Sequence, residues 1–115
     1  MNAVVASASA RKSLGEYKPI IKIGNRTEVV EQNPDRFDRH TKRGIIKGNK
    51  FARGTTYKNR ADAIAAAQRL IDFRREDAEA RLAEIIEWAT KGNPEKYARG
   101  IRYIQQEVVL WGGAA

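Results

Sequence analysis

The residues best able to do chemistry in this chain are cations, and they are crowded into one stretch. "RFDRHTKRGIIKGNKFARGTTYKNR", Arg36 to Arg60, holds nine Lys and Arg against the single acid Asp38, with Phe37, Phe51 and Tyr57 spaced among them. Cations at this density suit the phosphates of a nucleic acid, whose neutralisation releases counterions without any base being read. The candidates for such contacts are Arg36, Arg39, His40, Lys42, Arg43, Lys47, Lys50, Arg53, Lys58 and Arg60. The aromatics divide. Phe51 and Tyr57 fit the inner face of a sheet, whereas Phe37, between Arg36 and Asp38, could stack on an unpaired base and would then favour single strands or RNA.

Catalysis finds less support. His40 is the only histidine. As a general base with neighbouring Arg holding phosphate it would describe a ribonuclease, but no second His, no Cys and no pair of acids stands near it to complete a mechanism. It is read as one more phosphate contact, and no enzyme activity is expected. Asp35 and Asp38 read as turn residues, and the glycines of "IKIGNR" and "KGNK" lack a phosphate-loop pattern, so neither metal nor cofactor is expected. Glu76, Asp77, Glu79, Glu84 and Glu87 alternate with basic residues and should form pairs four apart, such as Asp77 with Arg81.

The rest of the chain gives that charge its setting. Net charge is +8 over 115 residues. Residues 1–60 hold fourteen Lys and Arg and five Asp and Glu, for +9, and residues 61–115 hold eight and nine, for −1, which together return the totals of 22 and 14. The whole excess lies in the first half, so one half is suited to a polyanion while the other builds core or meets protein. A solubilising role is the competing reading, since +8 reaches the top of the ordinary range of about 2–8 for a small domain. There is no Cys, which excludes a disulfide framework and thiolate zinc sites and suits a cytoplasmic protein. No apolar run approaches the ~20 residues of a membrane span. "MNAVVASASARKSL" is too short and too interrupted by Ser for a secretory signal, and residues 1–14 read as a flexible tail ahead of a single domain over 15–115.

Local patterns predict an α+β fold: a small antiparallel β-unit over 15–58, then two or three amphipathic helices over 59–113. "YKPIIKIGNRTEVVEQ" reads as a hairpin about Gly24-Asn25, a dipeptide suited to a two-residue primed turn. "NPDR" breaks the chain. "GIIKGNKFA" repeats the hairpin grammar about Gly48-Asn49, and "GTTY", 54–57, offers a further strand. The cationic run therefore lies on the second hairpin and its feeding loop, and a two-stranded ribbon fits the major groove of DNA. From Asn59, a cap with Asp62 three residues on, the period becomes helical: Ile64, Ile71, Ala78 and Ile85 recur every seven residues, with Ala67, Leu82 and Ala89 on the same face. A break near "DFRRED", 72–77, is expected, because one ~48 Å rod outruns a domain of this size. "KGNP" ends the segment, with Gly92 as a left-handed stop, Asn93 as the next cap and Pro94 at a first helical position. The last helix carries Tyr97, Ile101, Ile104, Val108 and Trp111 on one side. That stripe is expected either to pack on Ile64, Ile71, Leu82 and Ile85 or to form a homodimer interface.

"FARGTTYKNRADAIAAAQRL" resembles the end of the sheet-plus-helix DNA-binding modules of tyrosine-recombinase arm-binding domains and plant ethylene-response factors. In those a glycine-bearing last strand leads through a polar turn into an Ala-rich helix. The resemblance covers about twenty residues and rests on Gly54, Thr55, Asn59, Ala63 and Ala67; the long charged helical half that follows departs from those modules. The expected partner is therefore nucleic acid, DNA or RNA. The alternative is an acidic protein surface, gripped by a small adaptor or inhibitor of the kind mobile elements encode. No membrane partner is expected.

Overall fold

The computed structural model describes residues 4–30 and 56–114. Strands β1 (Ser7–Ser13), β2 (Glu16–Ile23) and β3 (Arg26–Val29) precede two helices, α1 (Arg60–Lys91) and α2 (Pro94–Leu110). The fold is α+β, as the sequence pattern implies. The strands form one antiparallel sheet in the order β1-β2-β3.

The predicted hairpin about Gly24-Asn25 is present. Gly24 takes φ +57° and Asn25 is not left-handed, the arrangement of a type II′ turn, which places Gly first. The second turn was not read from the sequence. Leu14 and Gly15 have φ of +51° and +82°, as a type I′ turn requires at both central positions, and they fold residues 7–13 back onto β2. Residues 1–14 are therefore not all tail: Ser7–Ser13 pairs in full with Glu16–Lys22. Ala and Ser have little intrinsic strand preference. What makes β1 a strand is the alternation Ala6-Ser7-Ala8-Ser9-Ala10, which gives it one face of small apolar side chains.

That face sets the helix height. The core cluster is Ala6, Ile21, Val30, Ala67, Leu70 and Ile71, with Ala8, Ile23 and Trp111 packed against it. Ala63, Ala66 and Ala67 of α1 are fully buried, so small side chains on both partners let helix and sheet approach closely. Ile21 and Leu70 are 0% and 1% exposed, and burying each contributes on the order of 1.5–3 kcal/mol.

The expected break at 72–77 is absent: α1 runs unbroken for 32 residues. Ion pairs bridge the segment instead, Arg75 to Asp72 at 3.2 Å, Arg75 to Glu79 at 3.9 Å and Arg81 to Asp77 at 3.1 Å. The helix outruns the sheet, but α2 folds back to cover the overhang with Val108, which is fully buried. Gly100 permits the close crossing, since a Cβ there would lie 2.7 Å from Ile85 Cδ1. Asn59 caps α1 by accepting the Asp62 amide at 2.8 Å, and Asn93 caps α2 ahead of Pro94. Gly92 ends α1 without a left-handed residue, at φ −120°, its amide donating to Trp88 O at 2.9 Å. No helix among the described residues is long and apolar enough to cross a membrane.

Candidate nucleic-acid interface

Strand register decides which cations reach solvent. Ile21 and Ile23 face α1, so Lys18, Ile20 and Lys22 face the other way, and Arg11, opposite Lys18, joins them. Ser7, Ser9 and Thr27 share this outer face. Ile20 at its centre is 4% exposed, while Arg11 and Lys22 are exposed and Lys18 is half-buried. Lysine stems can shield an apolar neighbour while the ammonium stays in water.

The sheet gathers charge at its Leu14-Gly15 end. Tyr17 pairs with Lys12 on one side and forms a bridge to Tyr57 on the other, with backbone bonds of 2.8 and 2.9 Å. Three neighbouring segments thus bring the backbone of Arg11 and Lys12, then Lys18, then Lys58 to one end of the sheet, within roughly 10 Å at the usual strand spacing, with Arg11 and Lys18 on the outer face and Lys12, opposite Tyr17, on the other. Arg60 follows at the start of α1. The acid present there, Glu16, accepts a hydrogen bond from Thr56 Oγ1. Among the described residues no ion pair engages Arg11, Lys12, Lys18, Lys22, Lys58 or Arg60.

Two of these placements carry a cost. Arg11 and Lys18 are like charges directly opposite on one sheet face, an arrangement that destabilises a strand pair. Arg60 stands in the first turn of α1, where the helix dipole disfavours a cation. A bound anion relieves both. Several charges elsewhere are paired. Arg74 grips Glu28 through two bonds of 2.8 and 3.2 Å and lies 4.9 Å over the Trp111 ring. Arg81 joins Asp77 to Glu107 across the two helices. Burial pulls the Arg81 pKa down, but hydrogen bonds and charges from Glu107 and Asp77 outweigh it, and the net shift is upward.

Of the residues singled out in the cationic run, Lys58 and Arg60 are exposed at this edge; Arg36, Arg39, His40, Lys42, Arg43, Lys47, Lys50 and Arg53 lie outside the described residues, as do Phe37, Phe51 and the expected hairpin about Gly48-Asn49. The chain leaves the described part at Val30, whose amide donates to Pro19 O at 3.0 Å, and re-enters at Thr56 next to the Tyr17 bridge. Both ends of the intervening segment are therefore fastened to β2, two residues apart. Sequence reasoning missed Arg11, Lys12, Lys18 and Lys22. The signal for Lys18 and Lys22 was the alternation "KPIIK", and for Arg11 and Lys12 the turn at Leu14-Gly15 that makes their segment a strand.

The apolar stripe of α2 is used within the chain. Val108 is fully buried, and Tyr97, Ile101, Ile104 and Trp111 are half-buried. The large apolar side chains that stay exposed among the described residues are Val4, Val5, Leu14, Ile86, Trp88 and Tyr103; Ile86 and Trp88 point about 160° apart around α1 at 100° per residue.

No family model matches the chain, and no curated protein or solved structure matches it.

Proposed function

We propose that the protein binds nucleic acid, without catalysis, through the cationic end of its sheet. The observation that carries this reading is the set Arg11, Lys12, Lys18, Lys58 and Arg60, assembled at one end of the sheet without ion-pair partners among the described residues and partly at positions that cost stability. Lys22 extends it along the outer face. The chain on either side of the sequence's basic run, at Val30 and at Tyr57, is hydrogen-bonded to β2, and the run itself lies outside the described residues. Phosphate contact is the chemistry these side chains offer: point charges and hydroxyls, with Ser7, Ser9 and Thr27 as supplementary donors. Specificity for a base sequence is not part of the proposal.

The test is binding of labelled duplex DNA, single-stranded DNA and RNA as a function of salt. Neutralised phosphates give a steep dependence, about 0.9 in log–log slope per duplex contact. Lys47→Glu with Lys50→Glu should weaken binding to all sequences alike and flatten the slope by about one unit per lost contact. Weak binding with a shallow slope on every nucleic acid would overturn the reading and assign the basic face to an acidic protein surface. RNA cleavage abolished by His40→Ala would instead make the protein a ribonuclease. Sedimentation equilibrium reads self-association separately, and a dimer dissociated by Ile104→Ala would give the half-buried part of the α2 stripe a second role.

A further inference from the structure

A concavity among the described residues lies far from the cationic edge, at the opposite end of the sheet. It is a half-open cleft of about 310 Å³ between the β2–β3 turn, the middle of α1 and the end of α2. That volume is at the low end of small-molecule pockets, roughly 300–1,000 Å³. Ile23, Leu110 and Trp111 form its apolar wall, and Arg26, Glu28 and Arg74 supply its charge.

Register explains why charge is found here at all. Ile23 pairs with Arg26 and Ile21 with Glu28, so Arg26 and Glu28 project from the helix-facing side of the sheet, where a binary pattern would place apolar residues. Glu28 accepts from the two terminal guanidinium nitrogens of Arg74, and Arg74 in turn lies over the Trp111 ring. Arg26 has no ion pair among the described residues. The lining therefore carries one neutralised pair and one uncompensated guanidinium beside an apolar wall. We infer that this cleft binds a small organic monocarboxylate with an apolar body, its carboxylate held by Arg26 and its body against Ile23, Leu110 and Trp111.

The charge balance selects this class. A monoanion cancels the single surplus charge, and the planar fork of an arginine matches a carboxylate in two hydrogen bonds. A cationic ligand would have to displace Arg74 from Glu28. A neutral apolar ligand would gain nothing from Arg26, which is solvent-exposed. The small volume suits a molecule of one ring or one branched chain, so a peptide could enter only by its terminus.

Trp111 reports on the site, and Trp88→Phe leaves it as the sole tryptophan. In that variant, titration with phenylacetate or cyclohexylacetate should give a saturable change in Trp111 emission at micromolar to low-millimolar ligand. Phenylacetamide, which has the same body and no charge, should bind about tenfold or more weakly, and Arg26→Gln should cost the carboxylate a similar factor. Arg26→Lys should keep part of the affinity. Chemical shifts of Ile23, Leu110 and the Trp111 indole should move together with the emission. No saturable change in the folded variant, equal binding of acid and amide, or binding indifferent to Arg26→Gln would each overturn the inference. Tighter binding of a free peptide C-terminus than of either acid would replace the small molecule with a chain end. These readouts do not involve nucleic acid, so they stand or fall independently of the cationic edge.

Discussion

The two halves of this protein treat charge in opposite ways. In the helical half, four cations are tied to acids: Arg75 to Asp72 and Glu79, Arg81 to Asp77 and Glu107, Lys91 to Glu87, and Arg74 back to Glu28, while Arg99 and Arg102 stand exposed without an ion pair among the described residues. In the β half, Arg11, Lys12, Lys18 and Lys22 have no such partners among the described residues, and two of them face each other. The first set connects pieces of the fold, joining α1 to β3 and to α2. Among the described residues the second set ties no two elements together through ion pairs, and at Arg11 and Lys18 its charges oppose strand pairing. A charge without an ion-pair partner among the described residues, placed where it costs stability, is what the proposed polyanion would neutralise.

Substitutions can break or sharpen this contrast. The largest effect should come from the apolar contact that both halves share. Leu70 sits at 1% exposure between sheet and helix, and Leu70→Ala should lower stability by about 2–5 kcal/mol through lost burial and the cavity left behind. A loss below about 1 kcal/mol in chemical denaturation would mean that the β-unit and α1 are not one cooperative structure.

A structural cation comes next. Arg81→Met should cost about 1–3 kcal/mol, because it leaves Glu107 and Asp77 part-buried without their donor, and Asp77 Oδ1 is already buried with no partner. The sign of the pH effect follows from the raised Arg81 pKa. A basic group whose folded pKa lies above its unfolded one stabilises fully below the unfolded value, and the gain fades only as pH climbs through the folded value. That window is strong alkali, so the wild-type contribution from Arg81 ionisation should be flat across neutral pH. Denaturation midpoints that shift between pH 6 and 9 in wild type but not in Arg81→Met would contradict this.

The smallest effect has the opposite sign. Lys18→Glu turns the Arg11–Lys18 repulsion into an attraction and should raise stability by about 0.2–1 kcal/mol, while weakening nucleic-acid binding. A cation kept for folding would show losses of both. The opposed signs are therefore the signature of a cation kept for a partner.

How much of this was legible in the sequence depended on the period of each pattern. The Gly24-Asn25 turn, the caps at Asn59 and Asn93 and the pair Asp77–Arg81 are local, and local chemistry is written in neighbouring residues. β1 was missed because its residue types argue against a strand, although their alternation argues for one; the pairing with β2 decided it. The continuity of α1 was missed because the limit placed on its length ignored α2, which lies far along the chain and covers the overhang. The cationic edge was half legible. Lys58 and Arg60 belong to the visible basic run, but Arg11, Lys12 and Lys18 join them only through strand pairing, and no composition count reveals that. The cleft at Arg26 was not legible at all, since it takes three elements to enclose it.

The most direct test compares two double charge reversals of equal size. Arg11→Glu with Lys18→Glu alters the cationic edge, and Arg99→Glu with Arg102→Glu alters two exposed cations of α2 that have no ion pair among the described residues. Duplex affinity is measured for each across a salt series. The edge variant should bind more weakly and lose about two units of salt slope, while the α2 variant should keep the wild-type slope. Equal losses in both would mean that only net charge matters, and an unchanged slope in the edge variant would contradict the assignment of the polyanion to this end of the sheet.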